Sequence, residues 1–155
     1  MKKKKIFKIL LMVIVILLWS GIILFLSSQN GTETEKTGIK MAQLLKDGLH
    51  LKNDVYTIHM KIRKVAHVFL FFGLGMILSM SLFFLKKAKK KVYVCFLVVI
   101  GFVFAYFDEA HKIPIEGRHF NQDDVIRNIM GYVTGVVIIF LFFKLRRMWN
   151  RKRDG

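Results

Sequence analysis

Cysteine, proline and acid are all scarce in this sequence. Its one cysteine, Cys95, has no partner, so an intrachain disulfide and a paired-cysteine metal motif are both excluded. Its position inside an apolar run predicts a buried apolar role. The one proline, Pro114, disfavours helical geometry at the residue before it, while nothing from Asp108 to Ile113 breaks a helix. Ten Asp plus Glu stand against 26 Lys plus Arg, and five of the ten (Asp108, Glu109, Glu116, Asp123 and Asp124) fall between Tyr106 and Asp124. No internal repeat is visible, which leaves little for an alternating-access transporter. Nor does any run alternate apolar with polar over ten residues, as a transmembrane barrel requires.

Long apolar runs are what the 155 residues do contain. Ile6 to Leu26 is interrupted only by Lys8, the sole ionisable group of Val65 to Leu85 is His67, Val92 to Phe107 is uncharged, and Val125 to Phe143 is broken only by Arg127. About 20 helical residues cross a hydrocarbon core of roughly 30 Å. The third run reaches that length if its helix continues to residue 112. The expected fold is therefore an all-α integral membrane protein, a single domain forming a four-helix bundle with helices at about 6–26, 65–85, 92–112 and 125–143. An uncleaved anchor is expected at the first run, because 21 apolar positions exceed a usual signal-peptide core and no small-x-small site follows at Leu26-Ser27-Ser28-Gln29.

The positive charge sits at helix ends rather than on one water-facing stripe, which argues against nucleic acid as the partner. Lys2 to Lys5 and Lys8, the link Lys86 to Lys91, and Lys144 to Arg153 hold 16 of the 26 basic residues with only Asp154 as an acid beside them. By the positive-inside rule both termini and the Lys-rich link lie in the cytoplasm, and the connections 27–64 and 113–124 lie outside. Within the first of these, Ile39, Ala42, Leu45 and Leu49 recur at helical steps. This predicts a short amphipathic helix, either lying on the membrane surface or packed on the bundle.

At 100° per residue, Asp124, Asn128, Gly131 and Gly135 share an arc of roughly 60°, opposite the apolar surface of Val125, Ile126, Ile129, Val133, Val136, Val137 and Phe140. The first set is expected to face the bundle, its glycines permitting close helix approach. Gly101, Ala105, Asp108 and, if the helix reaches it, Lys112 repeat the same spacing, and Lys64 and His67 stand at the corresponding end of the second run. Ionisable groups near lipid are costly unless they pair or meet water. Asp108, Glu109, Asp124, Lys64, His67 and Arg118 are thus expected to converge at one mouth of the bundle, as an ion-pair network or a functional pocket.

Such a cluster offers several chemistries. Glu109, Asp124 and His67 are candidate acids or bases. Arg118, beside Gly117, is a candidate holder of a phosphate or carboxylate, with an ion pair to Asp124 or Glu109 expected in the unliganded state. Asp108, Lys64, Asn128, Gln29, Ser28 and His111 complete the candidate binding set, with Ser27 and Ser28 at the end of the first helix able to reach it. His67, His111, His119 and the carboxylates are metal-ligand types, yet no HExxH is present and the spacing fits no metal motif, so metal and cofactor stay open.

DEAHKIPIEGR followed by Asp124, Asn128, Gly131 and Gly135 resembles the signature of the VanZ-like family: DE-x-x-Q, a short apolar stretch ending in Pro-Gly-Arg, then D-x-x-x-N-x-x-G-x-x-x-G. Phe25-Leu26-Ser27-Ser28-Gln29 and Lys64-Val65-Ala66-His67 are similar to that family's end of helix one and its K-x-x-H. Lys112 stands where the family has Gln, and Glu116 where Pro precedes the Gly-Arg pair. The resemblance implies a multi-pass protein of the bacterial cytoplasmic membrane, associated through the founding member with low-level resistance to the glycopeptide teicoplanin. Its expected partners are membrane lipid and an anionic lipid or cell-wall precursor. The alternative is a membrane hydrolase or transferase acting on such a precursor.

Overall fold

The computed structural model describes residues 2–81 and 90–153. These form five helices: α1 (Lys2–Ser27), α2 (Gly31–Leu49), α3 (Val55–Ser81), α4 (Lys90–Ala110) and α5 (Gln122–Arg153). Four of them, α1, α3, α4 and α5, are long and apolar enough to cross a membrane, so the chain is a multi-pass helical membrane protein. The Lys-rich link lies outside the described residues except for the backbone of Lys90 and Lys91, as does 82–85 at the end of the second run.

Two boundaries differ from those the sequence predicts. The second spanning helix starts at Val55 rather than near 65, where the Asp54 carboxylate accepts from the Tyr56 amide at 3.1 Å and caps it. Hydropathy does not register this extension, because Lys61, Arg63 and Lys64 carry the helix past its apolar stretch. The third ends at Ala110 rather than 112, four residues ahead of Pro114. There the chain tightens into short-range turns, with Lys112 N donating to Glu109 O and Ile113 N to Ala110 O, both at 3.2 Å.

The 27–64 connection is mostly helical. Asn30 caps α2 by accepting from the Thr32 amide at 3.0 Å. The helix then packs on α3, with Ala42 fully buried and Gly38 pressed against the ring of His59. Of the two expectations for this amphipathic segment, packing on the bundle is what occurs. Met41, Leu44 and Leu49 remain exposed.

The α3–α5 seam is the tightest in the bundle. A Cβ at Gly131 would land on the Val68 carbonyl, one at Gly135 on the Phe72 carbonyl, and one at Gly75 of α3 on the Tyr132 carbonyl of α5. The two backbones therefore touch without intervening side chains, which is how membrane helices gain dispersion contact that lipid cannot match. Tyr132 fills the space beside Gly101 of α4 and donates its hydroxyl to the Leu97 carbonyl at 2.7 Å. The Trp19 ring lies against Gly73 and donates to the Leu70 carbonyl at 2.9 Å, fixing α1 to α3. Ile23, Phe71, Leu74, Leu78, Leu97 and Ala105 complete the core around Tyr132.

The predicted inner faces hold: Asp124, Asn128, Gly131 and Gly135 are buried, as are Gly101, Ala105 and Asp108, while Lys112 is buried from the turn that follows α4 rather than from the helix. Ile126, Val133, Val137 and Phe140 point outward, while Ile129 and Val136 of the same apolar arc are half-buried against the core. Cys95 is a correction, being exposed on the outer surface of α4 rather than buried. In a lipid-facing position a thiol meets the same apolar surroundings that a core supplies.

Candidate functional site

One polar network joins the four spanning helices at the end of the bundle that carries the 111–121 loop. Asp108 of α4 accepts from Ser27 Oγ of α1 at 2.5 Å and from Asn128 Nδ2 of α5 at 3.2 Å. Because the Asn128 amide nitrogen is used on that carboxylate, its oxygen faces His67 Nδ1 of α3 at 3.2 Å. An amide oxygen only accepts, so Nδ1 carries the hydrogen and Nε2 is left free to give or take a proton. That Nε2 stands 4.0 Å from the Asp124 carboxylate, which is itself held by Arg127 at 2.6 Å and approached by Arg63 at 3.8 Å.

Lys112 neutralises the other carboxylates. It is 1% exposed, and its Nζ lies 2.5 Å from Glu109 and 3.6 Å from Asp108. One Glu109 oxygen remains buried with no hydrogen-bond partner. The Lys that departs from the family pattern is thus the counter-ion of both α4 acids. Buried charges of this kind persist only when paired.

Beside the network is a cavity of about 420 Å³ between the end of α1, the first half of α2, the first half of α3 and the loop. Its basic wall consists of Arg63, Lys112 and Arg118 with His59 and His67, and Glu35 is the one carboxylate among its described lining residues. Arg118 donates Nε to the Gln29 carbonyl at 3.1 Å and Nη2 to Thr34 Oγ1 at 3.0 Å, both neutral acceptors. It forms no ion pair among the described residues, which corrects the expected pairing with Asp124 or Glu109. Burial, and secondarily the nearby Arg63 charge, pull the Arg118 pKa below its ordinary value.

The loop can present Arg118 this way because it docks on the start of α2. Gly31 N donates to Glu116 O at 3.2 Å, and the Gly31 and Gly117 backbones lie in contact. Gly117 has φ +72°, the left-handed region in which an L side chain is strained. Replacing Gly117 by Ala is expected to cost about 1–2 kcal/mol through this φ alone, read as a lower melting temperature in detergent. Its added Cβ meets Gly31 only at van der Waals distance, 3.5 Å.

The other candidates divide. Gln29 joins the site through its backbone carbonyl and lines the cavity. Lys64 does not join: it is exposed, and Arg63, one helical turn before His67, occupies the place expected for it. Ser28 is exposed and donates to the Phe25 carbonyl, so Ser27 alone reaches Asp108. His111 stacks on Phe107 and bonds the Asp108 backbone oxygen, apart from the cavity. His119 is exposed. Glu109 and Asp124 stand behind the cavity wall rather than in it, which weakens them as acid or base. No group of three His, Cys, Asp or Glu suited to a metal occurs among the described residues.

Arg63, His59, Thr34 and Arg127 were not singled out from the sequence. The spacing His59, Arg63, His67 at steps of four marks one helical face and was the available signal.

No curated protein and no solved structure matches the chain. The profile of the VanZ/LLP1 family matches residues 11–143, from within the first spanning helix to within the fourth, and includes the whole of the polar network. The chain belongs to the VanZ/LLP1 family.

Proposed function

We propose that this VanZ-like protein works at the outer face of the bacterial cytoplasmic membrane, lowering susceptibility to teicoplanin-type glycopeptides by holding an anionic envelope molecule in the cavity. The observation that carries this reading is Arg118: buried, bonded among the described residues only to neutral acceptors, and sharing the cavity with Arg63 and Lys112. A buried cation without a counter-ion is a poor way to stabilise a fold and a good way to hold an anion. The orientation rests on the basic helix ends. Lys3, Lys4 and Lys8 of α1 and the Lys144 to Arg153 segment of α5 lie at the end of the bundle away from the loop, and the positive-inside rule makes that end cytoplasmic.

Deleting the gene is expected to raise susceptibility to teicoplanin under cell-wall stress. A plasmid copy carrying Arg118→Ala is expected not to restore resistance, since loss of this cation weakens anion binding at least about thirtyfold. Full restoration by normally inserted Arg118→Ala protein would rule the reading out.

A hydrolase or transferase acting on the same bound molecule is a second reading, favoured by His67, which lines the cavity with its Nδ1 proton committed and Nε2 free. It predicts that a His67→Gln strain accumulates a cell-wall or lipid precursor. Precursor profiles identical to the parent, with the protein intact in the membrane, would contradict catalysis and leave binding as the activity.

A further inference from the structure

The cavity is long, and its two ends differ in chemistry. Along α3 it is walled from Tyr56 to Leu70, which is about 21 Å of helix axis. The basic groups of α3 and the loop gather around Arg63, His67 and Arg118. On the α1 side, toward Leu70 and Trp19, the wall turns apolar through Leu26, Ala66 and Leu70.

The cavity is closed on one side and open on the other. Glycine-mediated backbone contact seals α3 against α5, and Tyr132 seals α4 against α5. α2 packs chiefly on α3 and leaves the α1 side of the cavity unsealed. Leu26 and Met41 flank this opening and are 41% and 53% exposed, in a helix end and a helix that lie beside the spanning segments. A soluble anion needs no such apolar extension, whereas an amphiphile fixed in a leaflet needs both the extension and a sideways entrance.

Resting on the anion-site reading above, we infer that the occupant is a phosphate-bearing lipid of net negative charge that enters from the membrane between α1 and α2, its head on Arg118 and Arg63 and its chain along Leu26, Ala66 and Leu70. A phosphate suits this end better than a carboxylate, because its oxygens can accept from two guanidinium groups and from His67 Nε2 when that nitrogen is protonated. The chain, kept against apolar side chains, gives up little of its hydrocarbon surroundings on entering.

The test uses the full chain in neutral detergent, with melting temperature read against added phosphatidylglycerol, phosphatidylcholine and free glycerol phosphate. The parent is expected to be stabilised by phosphatidylglycerol and not by phosphatidylcholine. Ala66→Trp and Leu26→Trp, both at exposed positions and both filling the apolar extension, are expected to lose the phosphatidylglycerol response and keep a response to glycerol phosphate. If both variants still respond to phosphatidylglycerol like the parent, the lipid route is refuted and the anion site stands. If Arg118→Ala also responds like the parent, surface lysines explain the effect and the anion site falls as well.

Discussion

Lys112→Met is expected to cost about 3–5 kcal/mol, the penalty for removing one partner of a buried ion pair. Lys112 is 1% exposed and is the cation nearest to both Glu109 and Asp108, each fully buried. Asp108 would keep its bonds from Ser27 and Asn128, but Glu109, which already has one oxygen unpartnered, would keep no side-chain donor. The check is a double variant. Lys112→Met with Glu109→Gln removes the uncompensated charge along with its partner, so most of the lost melting temperature in detergent should return. If the single variant melts within a degree or two of the parent, the carboxylates are not held by Lys112 in the way described.

Gly135→Val is expected to be at least as damaging. Overpacking usually costs 1–3 kcal/mol because flexible side chains shift aside. Here the added atoms meet the Phe72 carbonyl and the Met76 amide, which are helix backbone and cannot shift without separating α3 from α5. Loss of monodisperse protein on size-exclusion chromatography is the expected result. Gly21→Val is the control, because nothing lies within 4 Å of a Cβ at Gly21. Equal behaviour of the two variants would mean that the α3–α5 seam is looser than backbone contact.

The parts of the fold that could be read from the sequence are those for which lipid leaves no alternative. Four apolar runs had to span, and on α5 the steps joining Asp124, Asn128, Gly131 and Gly135 had to face inward, since acid and amide cannot face acyl chains. The same reasoning on α4 puts Gly101, Ala105 and Asp108 on one buried face, and Lys112 is buried although the helix stops short of it. What failed depended on phase or on contacts between distant segments. Lys64 and Arg63 differ by 100° on α3 and flank His67 on opposite sides, and only the Arg63 side faces the network. Cys95 lies far from the Gly101 direction on α4, so phase rather than hydropathy decides its exposure. Arg118 is expected to pair with an acid because a charge near lipid is costly unless it pairs or meets water. Its actual partners, the Gln29 carbonyl and Thr34, come from a docking of the loop on Gly31 that no periodicity encodes.

The resemblance located the motif residues but not the division of labour among them. Within the motif, Asp108 and Asn128 form the scaffold that ties the helices together, His67 is held by that scaffold and lines the cavity, and Arg118 faces the cavity with no counter-ion among the described residues. That division makes the two sets of variants behave differently. Changes in the scaffold should lower stability before anything else, whereas Arg118→Ala should change ligand binding in a protein that still folds.

The most direct measurement is a density map of the full chain purified with its native membrane lipids. The account predicts density in the α1–α2–α3 cavity, with a phosphate in hydrogen-bond contact with Arg118 and an extended tail passing Leu26 and Ala66. A cavity collapsed shut, with Arg118 turned into an ion pair with Asp124 or Glu109, would contradict it.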